Sequence, residues 1–303
     1  MEWIKRSCPL CGSISADLVY SAPLKADTLS FDEVKNYWRG FRRKSCFFDY
    51  FRCHNCQTLY NKNYFDENQL NILYGSMPDN SAGVNHDVLS RTQLGYFEFL
   101  TSNINNFSNK KYLEIGPDVG LFTFHASNSK LFNSMTLIEP NSDVHALLNS
   151  INKKTKDFNI IHDLNDLSRN QTFDLIVGIH VFDHLIEPMK YINQLKDILS
   201  PGSYVLSVTH NESSLLRKIM GPKWIPFCLQ HPQLYNPETI TNLFKQNGFD
   251  VVSIQKTTNW FPLLHLINTL LSLFGRRKIE SNFLSSINIP IKLGNMISLF
   301  KLN

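Results

Sequence analysis

Lys111-Tyr-Leu-Glu-Ile-Gly-Pro-Asp-Val-Gly120 decides the fold of this 303-residue chain. Tyr112, Leu113 and Ile115 form a short apolar run that carries Glu114 and stops at Gly116. Leu121, Phe122, Phe124 and Ala126 resume at a spacing that suits a helix. Strand, tight turn and helix start, in that order, put a ligand over the carboxyl end of a strand in an open α/β sheet. Glycine accepts φ > 0 and lets backbone approach a ligand closely. The helix that follows offers unpaired N–H groups and a positive dipole end to a carboxylate or phosphate.

Downstream, Met135–Pro140 reads as a second strand ending in Glu139, which follows Gly120 by 19 residues. That spacing puts an acid where it accepts both hydroxyls of a ribose. Ser142–Asn149 is a helix, and Asn159–Asp163 a third strand whose final acid is placed for an adenine amino group. Phe173–Ile179 is almost purely apolar, as a strand covered on both faces must be. Helices are expected over Glu187–Leu199 and Pro237–Asn247, and strands over Tyr204–Thr209, Phe249–Thr257 and Asn295–Lys301.

Upstream of the sheet, Cys8-Pro-Leu-Cys11-Gly12 and Cys53-His-Asn-Cys56 lie 41 residues apart. Each pair sets two sulfurs on one tight turn, and two such turns complete the four-thiolate tetrahedron that Zn²⁺ prefers in structural sites. Cys46 and His54 are competing ligands, and Cys228 reads as an ordinary buried thiol. Four of six cysteines in two CxxC pairs fit a reducing compartment, so a cytoplasmic location is expected. Arg39, Arg42, Arg43 and Lys44, interleaved with Trp38 and Phe41, raise the question of nucleic acid. Residues 1–60 hold nine Lys/Arg against six Asp/Glu, and a four-thiolate zinc site subtracts further charge. The whole chain carries only +4, which disfavours a nucleic-acid surface. Between ribbon and sheet, helices are expected over Asp66–Tyr74 and Leu89–Leu100, around a turn-rich break at Gly75–Gly83.

These motifs together resemble a class I S-adenosylmethionine-dependent methyltransferase with an N-terminal zinc ribbon, a group whose members often modify sugars, glycans or secondary metabolites. The resemblance implies a Rossmann-like α/β sheet of seven strands with helices on both faces. The expected division is a ribbon at 1–62, a helical lid at 63–108 and a catalytic domain at 109–303 with an apolar insertion near 259–293. The family's glycine-rich loop falls on Glu114, Gly116, Pro117, Asp118 and Gly120. Its ribose acid falls on Glu139 beside Pro140, and its adenine-side acid on Asp163 beside Leu164. The segment lining the methyl group falls on His180–Leu185, and a histidine common in the group falls on His231. Asp118 departs from the family's glycine and reads as a partner for the ammonium of the methionine moiety. A G-x-G-x-x-G dinucleotide turn is absent.

Methyl transfer from a sulfonium needs positioning and removal of the acceptor's proton. Histidine suits the second task because its unperturbed pKa lies near working pH. His184 is therefore the first candidate base and His231 the second, with His180 shaping the cofactor pocket, His210 in reserve and Asp183 as the carboxylate alternative. The expected function is methylation of a sugar, nucleotide-sugar or glycan-precursor hydroxyl using S-adenosylmethionine, with Zn²⁺ structural. A non-catalytic S-adenosylmethionine-binding or zinc-ribbon interaction protein is the alternative, and an RNA or protein methyltransferase a third. Trp260–Phe274 reads as an apolar helix too short to span a bilayer, followed by Arg276, Arg277 and Lys278. It is expected to cap the cleft or touch a membrane surface, and the basic residues suit a phosphorylated acceptor.

Overall fold

The computed structural model describes residues 3–38, 46–75, 86–105, 108–152, 155–168, 170–273, 275–292 and 294–303. Three ribbon strands come first: β1 (Ala16–Tyr20), β2 (Tyr50–Cys53) and β3 (Leu59–Asn61). Helices α1 (Glu67–Gly75) and α2 (His86–Asn103) lead to β4 (Lys110–Ile115), α3 (Leu121–Asn128), β5 (Phe132–Ile138), α4 (His145–Ile151) and β6 (Asp157–Ile161). Next come β7 (Phe173–Ile179), α5 (Pro188–Asp197), β8 (Leu199–His210), β9 (Gln233–Leu234), α6 (Pro237–Lys245) and β10 (Phe249–Lys256). The chain closes with β11 (Asn259–Pro262), α7 (Leu263–Leu273), α8 (Asn282–Ser286), β12 (Asn288–Ile291) and β13 (Asn295–Leu302).

Seven strands form the large sheet in the order β6-β5-β4-β7-β8-β13-β10. All pair in parallel except β13, which runs antiparallel between β8 and β10. The strand order reverses between β4 and β7, where an open sheet of this kind holds its ligand. Successive side chains on a strand point to opposite faces, which divides the core in two. Leu113 and Ile176 pack with Ile192, Leu195, Ile240 and Phe244 of α5 and α6. Tyr112, Leu175 and Val177 pack with Tyr96, Phe122 and Leu148 of α2, α3 and α4. α6 starts sharply because Asn236 caps it and Pro237 needs no hydrogen-bond partner at the first helical position.

The ribbon is not closed on itself. Its sheet has the order β9-β3-β2-β1, and β9 comes from beyond the fifth strand of the large sheet, pairing Gln233 with Tyr60 and Leu234 with Leu59. Cys8, Leu10, Cys53 and Tyr60 share one core with Phe182, Tyr235 and Ile240. A two-residue strand leaves no periodicity to read, so this docking has no sequence signature.

The tail differs from its expected form. Trp260 belongs to β11, which pairs with β12, and the helix starts only at Leu263. Pro262 explains the offset: it pushes Phe261 towards extended backbone and suits a helix start. The basic stretch Arg39–Lys44 and residues 76–83 of the expected turn lie outside the described residues.

Candidate active site

The loop between β4 and α3 turns on three left-handed residues: Gly116 (φ 64°), Asp118 (φ 52°) and Gly120 (φ 74°). This conformation costs an ordinary L-residue about 1–2 kcal/mol, and Asp is among the few that tolerate it. The Asp that replaces a glycine therefore stands where the turn demands left-handed backbone. Gly120 has a further reason: a Cβ there would come within 2.6 Å of Ile151 and 2.7 Å of Leu148, both on α4.

Glu139 stands just beyond β5 and braces this loop. Its carboxylate accepts the N–H of Asp118 at 3.1 Å and that of Asn141 at 2.9 Å. Burial pushes its pKa up, while the two N–H donors and His145 oppose the rise. Gly116 and Asp118 are exposed on the loop, Pro117 is buried, and Pro140 is exposed beside Glu139. Asp163 caps a short 3₁₀ turn, accepting the Asn165 N–H at 2.8 Å, and Leu164 packs on the core beneath. Glu114 lies below the loop, where it accepts from the Thr123 hydroxyl at 2.6 Å and the Tyr112 hydroxyl. Burial raises its pKa to about 7, against the pull of those two hydroxyls.

Four imidazoles meet at the carboxyl end of β7. His180 follows β7 in left-handed backbone, His184 lies in the next turn, His210 ends β8, and His231 precedes β9. Ring centroids are 4.5 Å apart for His180–His210 and 4.8 Å for both His210–His231 and His184–His231. Asp183 lies among them, fully buried. One of its oxygens accepts the backbone N–H of His210 at 3.2 Å and stands 3.9 Å from His180 Nδ1, an ion-pair distance; its other oxygen has no hydrogen-bond partner among the described residues. Burial alone would raise the Asp183 pKa, but the surrounding imidazoles hold it well below the usual carboxylate range.

The histidines do not share a protonation state. Burial and the charge of His231 drive His184 down to about 3, and burial with His180 and His231 depresses His210. His231 goes the other way, to about 9: burial opposes its charge, but Cys228, Asp183 and the Pro226 carbonyl outweigh it. His231 Nδ1 donates to the Pro226 carbonyl at 2.7 Å, which leaves Nε2 as the basic nitrogen. His184 Nδ1 faces the Tyr74 hydroxyl at 3.0 Å. Asn295 bridges His210 Nδ1 at 2.9 Å and His180 Nε2 at 3.4 Å.

The ribbon holds the loop that carries His231. Tyr50 donates to the His231 carbonyl and Tyr64 to the Leu229 carbonyl, both at 2.7 Å. Arg52 forms a two-pronged pair with buried Glu212 at 2.6 and 3.0 Å. Cys8, Cys11, Cys53 and Cys56 bring four sulfurs within 4.8 Å of one another. The Cys8 and Cys56 sulfurs lie 3.3 Å apart, and those of Cys11 and Cys53 3.5 Å. A tetrahedron with Zn–S near 2.3 Å has edges of about 3.8 Å, so the donor set fits zinc. His54 bonds Ser15 and Asp17 instead, and Cys46 is buried outside the set.

The sequence therefore placed the four histidines at one site but missed Tyr74, Asn295 and Cys228, whose Sγ is 3.2 Å from His231 Nδ1. No spacing rule connects a helix at 67–75 or a strand at 295–302 to the turn after β7. A cavity of about 520 Å³ lies elsewhere, between α2, β10 and β11, and shares no residue with this site.

Residues 90–254 match the model of a methyltransferase-domain family, and the chain belongs to that family. Its seven-stranded sheet, with one antiparallel strand, is the one expected of a class I S-adenosylmethionine-dependent methyltransferase. A ubiquinone biosynthesis O-methyltransferase of Dinoroseobacter shibae is 28% identical over 93 residues, covering 28% of this chain and 38% of that protein. The mitochondrial ubiquinone biosynthesis O-methyltransferase of Dictyostelium discoideum is 24% identical over 162 residues, covering 47% of this chain and 50% of that one. The chain thus spans half or less of the length of these curated relatives. A structure of the complex between the Haloferax volcanii Trm112 methyltransferase activator and a methyltransferase shares the fold, at TM-score 0.53 and 11% identity, over 73% of this chain and 95% of that one.

Glu114 carries a pH signature. Its carboxyl keeps its proton in the folded chain up to about pH 7, whereas the unfolded chain releases it near 4.5. The folded state binds more protons in that window, so stability falls as pH rises through it. Glu114→Gln keeps an acceptor but cannot ionise. Its stability relative to the parent should rise by about 3 kcal/mol between pH 4.5 and 8. Urea unfolding across that range measures it, and a constant difference would contradict the assignment.

Proposed function

We propose that the chain methylates a hydroxyl of a polar, sugar-containing small molecule, with His231 as the base. S-adenosylmethionine supplies the methyl group. Gly116, Asp118 and Gly120 shape the loop that would take its methionine end, with Asp118 beside the ammonium. Glu139 is placed for the ribose hydroxyls, Asp163 and Leu164 for the adenine, and His180 for the edge nearest the methyl group. The observation that carries the reading of the base is the pair of restraints on His231. The Pro226 carbonyl fixes its tautomer at 2.7 Å, and Asp183 is the carboxylate that supports its charge.

His231 takes the acceptor's proton on Nε2. His184, kept neutral by burial, has its Nδ1 occupied by Tyr74 and donates from Nε2 to orient the acceptor. The walls are imidazoles, an amide and a phenol, which suits a ligand with many hydroxyls better than an apolar ring. A second reading, a phenolic hydroxyl on a quinone precursor, is favoured by the names of the curated relatives. Zn²⁺ on the four thiolates would close the ribbon, and the ribbon in turn fixes the loop carrying His231.

A general base must be neutral to act. His231 sits near 9 in the ligand-free chain, so kcat/KM should rise with pH towards an apparent pKa near 9. The sulfonium brings a second positive charge to the pocket, so the limb in kcat should lie lower. His231→Gln should lose this limb and about 10²–10⁴ in kcat. His184→Gln should raise KM and keep the limb. If instead His184→Gln alone removes the limb, the two roles are exchanged. Incubation with labelled S-adenosylmethionine and separate panels of nucleotide sugars and hydroxylated quinone precursors tells the two acceptor classes apart.

Elemental analysis of protein purified without chelator should give one zinc per chain. Stripping it should lower Tm and activity together, because Tyr50 and Tyr64 then lose their hold on the loop at 229–231. Full activity in a zinc-free chain would reject this coupling.

A further inference from the structure

We infer that the insertion between β10 and β13, residues 259–291, is a docking surface for a bilayer bearing anionic phospholipids. α7 holds seven Leu or Ile in eleven residues, yet none of those with a described side chain is fully buried. Leu270 is 57% exposed, Ile279 42% and Phe283 on α8 73%. Arg276, Arg277 and Lys278 are exposed in the turn between the two helices. That turn is folded back on α7: Asn268 exchanges two bonds with the Ile279 backbone, at 2.9 and 2.8 Å, and the Arg276 N–H reaches the Leu271 carbonyl at 2.9 Å. Apolar side chains and three cations are thus held on one small lobe.

The root of the lobe is basic too. The cavity of about 520 Å³ is lined by Arg91, Lys256 and Lys292 against a single acid, Glu98. Arg91 lies over the Trp260 ring at 5.3 Å, an indole with an apolar body at the edge of the lobe. Residues 251–303 contain six Lys/Arg and only Glu280 as an acid. Apolar groups beside a cluster of cations match the acyl boundary and the phosphates of an anionic membrane surface. A second copy of the chain would set like charges against each other. No helix among the described residues is long and apolar enough to cross a membrane, so the contact is peripheral.

Sedimentation of the full chain with vesicles tests this, comparing mixed phosphatidylglycerol and phosphatidylcholine with phosphatidylcholine alone. Partitioning onto the anionic vesicles should be at least about tenfold stronger and should weaken with salt. Each basic residue at the surface contributes about fivefold, so R276Q/R277Q/K278Q should lose about 100-fold. Phe283→Ser should weaken binding several-fold even at high salt. The singly substituted Arg277→Gln guards against misfolding of the triple variant, and S-adenosylmethionine affinity should be unchanged in all of them. Failure to bind either vesicle, equal binding by the triple variant, or self-association through this face without vesicle binding would each overturn the proposal. None of these outcomes touches the methyltransferase reading, which the S-adenosylmethionine titration reports separately.

Discussion

A carboxylate buried among imidazoles is the constraint on which the site depends. Asp183 is fully buried, and one of its oxygens finds no hydrogen-bond partner among the described residues. A buried ion in that state is costly unless positive charge gathers around it. The four histidines supply that charge, but they cannot all be protonated at 4.5–4.8 Å between neighbouring rings. His231 is the one whose pKa is raised: Cys228, Asp183 and the Pro226 carbonyl that its Nδ1–H bonds together outweigh its burial. Burial depresses the pKa values of His184 and His210, which suits them to act as neutral hydrogen-bonding walls. These differences follow from burial and the neighbouring groups rather than from any property of histidine alone.

The cofactor side rests on a different device. Three left-handed residues in five positions bend the loop. Glu139 ties this loop to the end of β5 by accepting the Asp118 N–H from the loop and the Asn141 N–H from its own turn. The loop's close approach to α4 at Gly120 locks its geometry to the helix after β5. The ribbon completes the design from the other side, lending tyrosines and an arginine to the segment that follows β8. Its fourth strand is borrowed from that same segment, which makes ribbon and site one cooperative unit.

Much of this was legible in the sequence. The apolar run at 173–179, the glycine turn and the acid 19 residues beyond Gly120 all act over short range, and each has a fixed spacing. The sheet and the positions of the loop and Glu139 follow from them. The four-cysteine cluster was equally plain, since CxxC is a local motif. Contacts between distant segments were not. Tyr74 reaches His184 across 110 residues, and Asn295 reaches His180 across 115. Cys228 read as an unremarkable thiol because nothing in its neighbourhood shows that His231 turns back upon it. The preference for His184 over His231 came from position along the chain; their different partners, the Tyr74 hydroxyl and the Pro226 carbonyl, are visible only in three dimensions.

The central claim is that the glycine loop and the histidine cluster serve one reaction in one cleft. A crystal structure with S-adenosylhomocysteine tests it most directly. The account predicts the ribose hydroxyls on Glu139, displacing its bonds to the Asp118 and Asn141 N–H groups, and the thioether sulfur turned towards His180 with His231 Nε2 facing the same space. Adenosine bound away from Glu139, or a sulfur directed away from the four histidines, would contradict it.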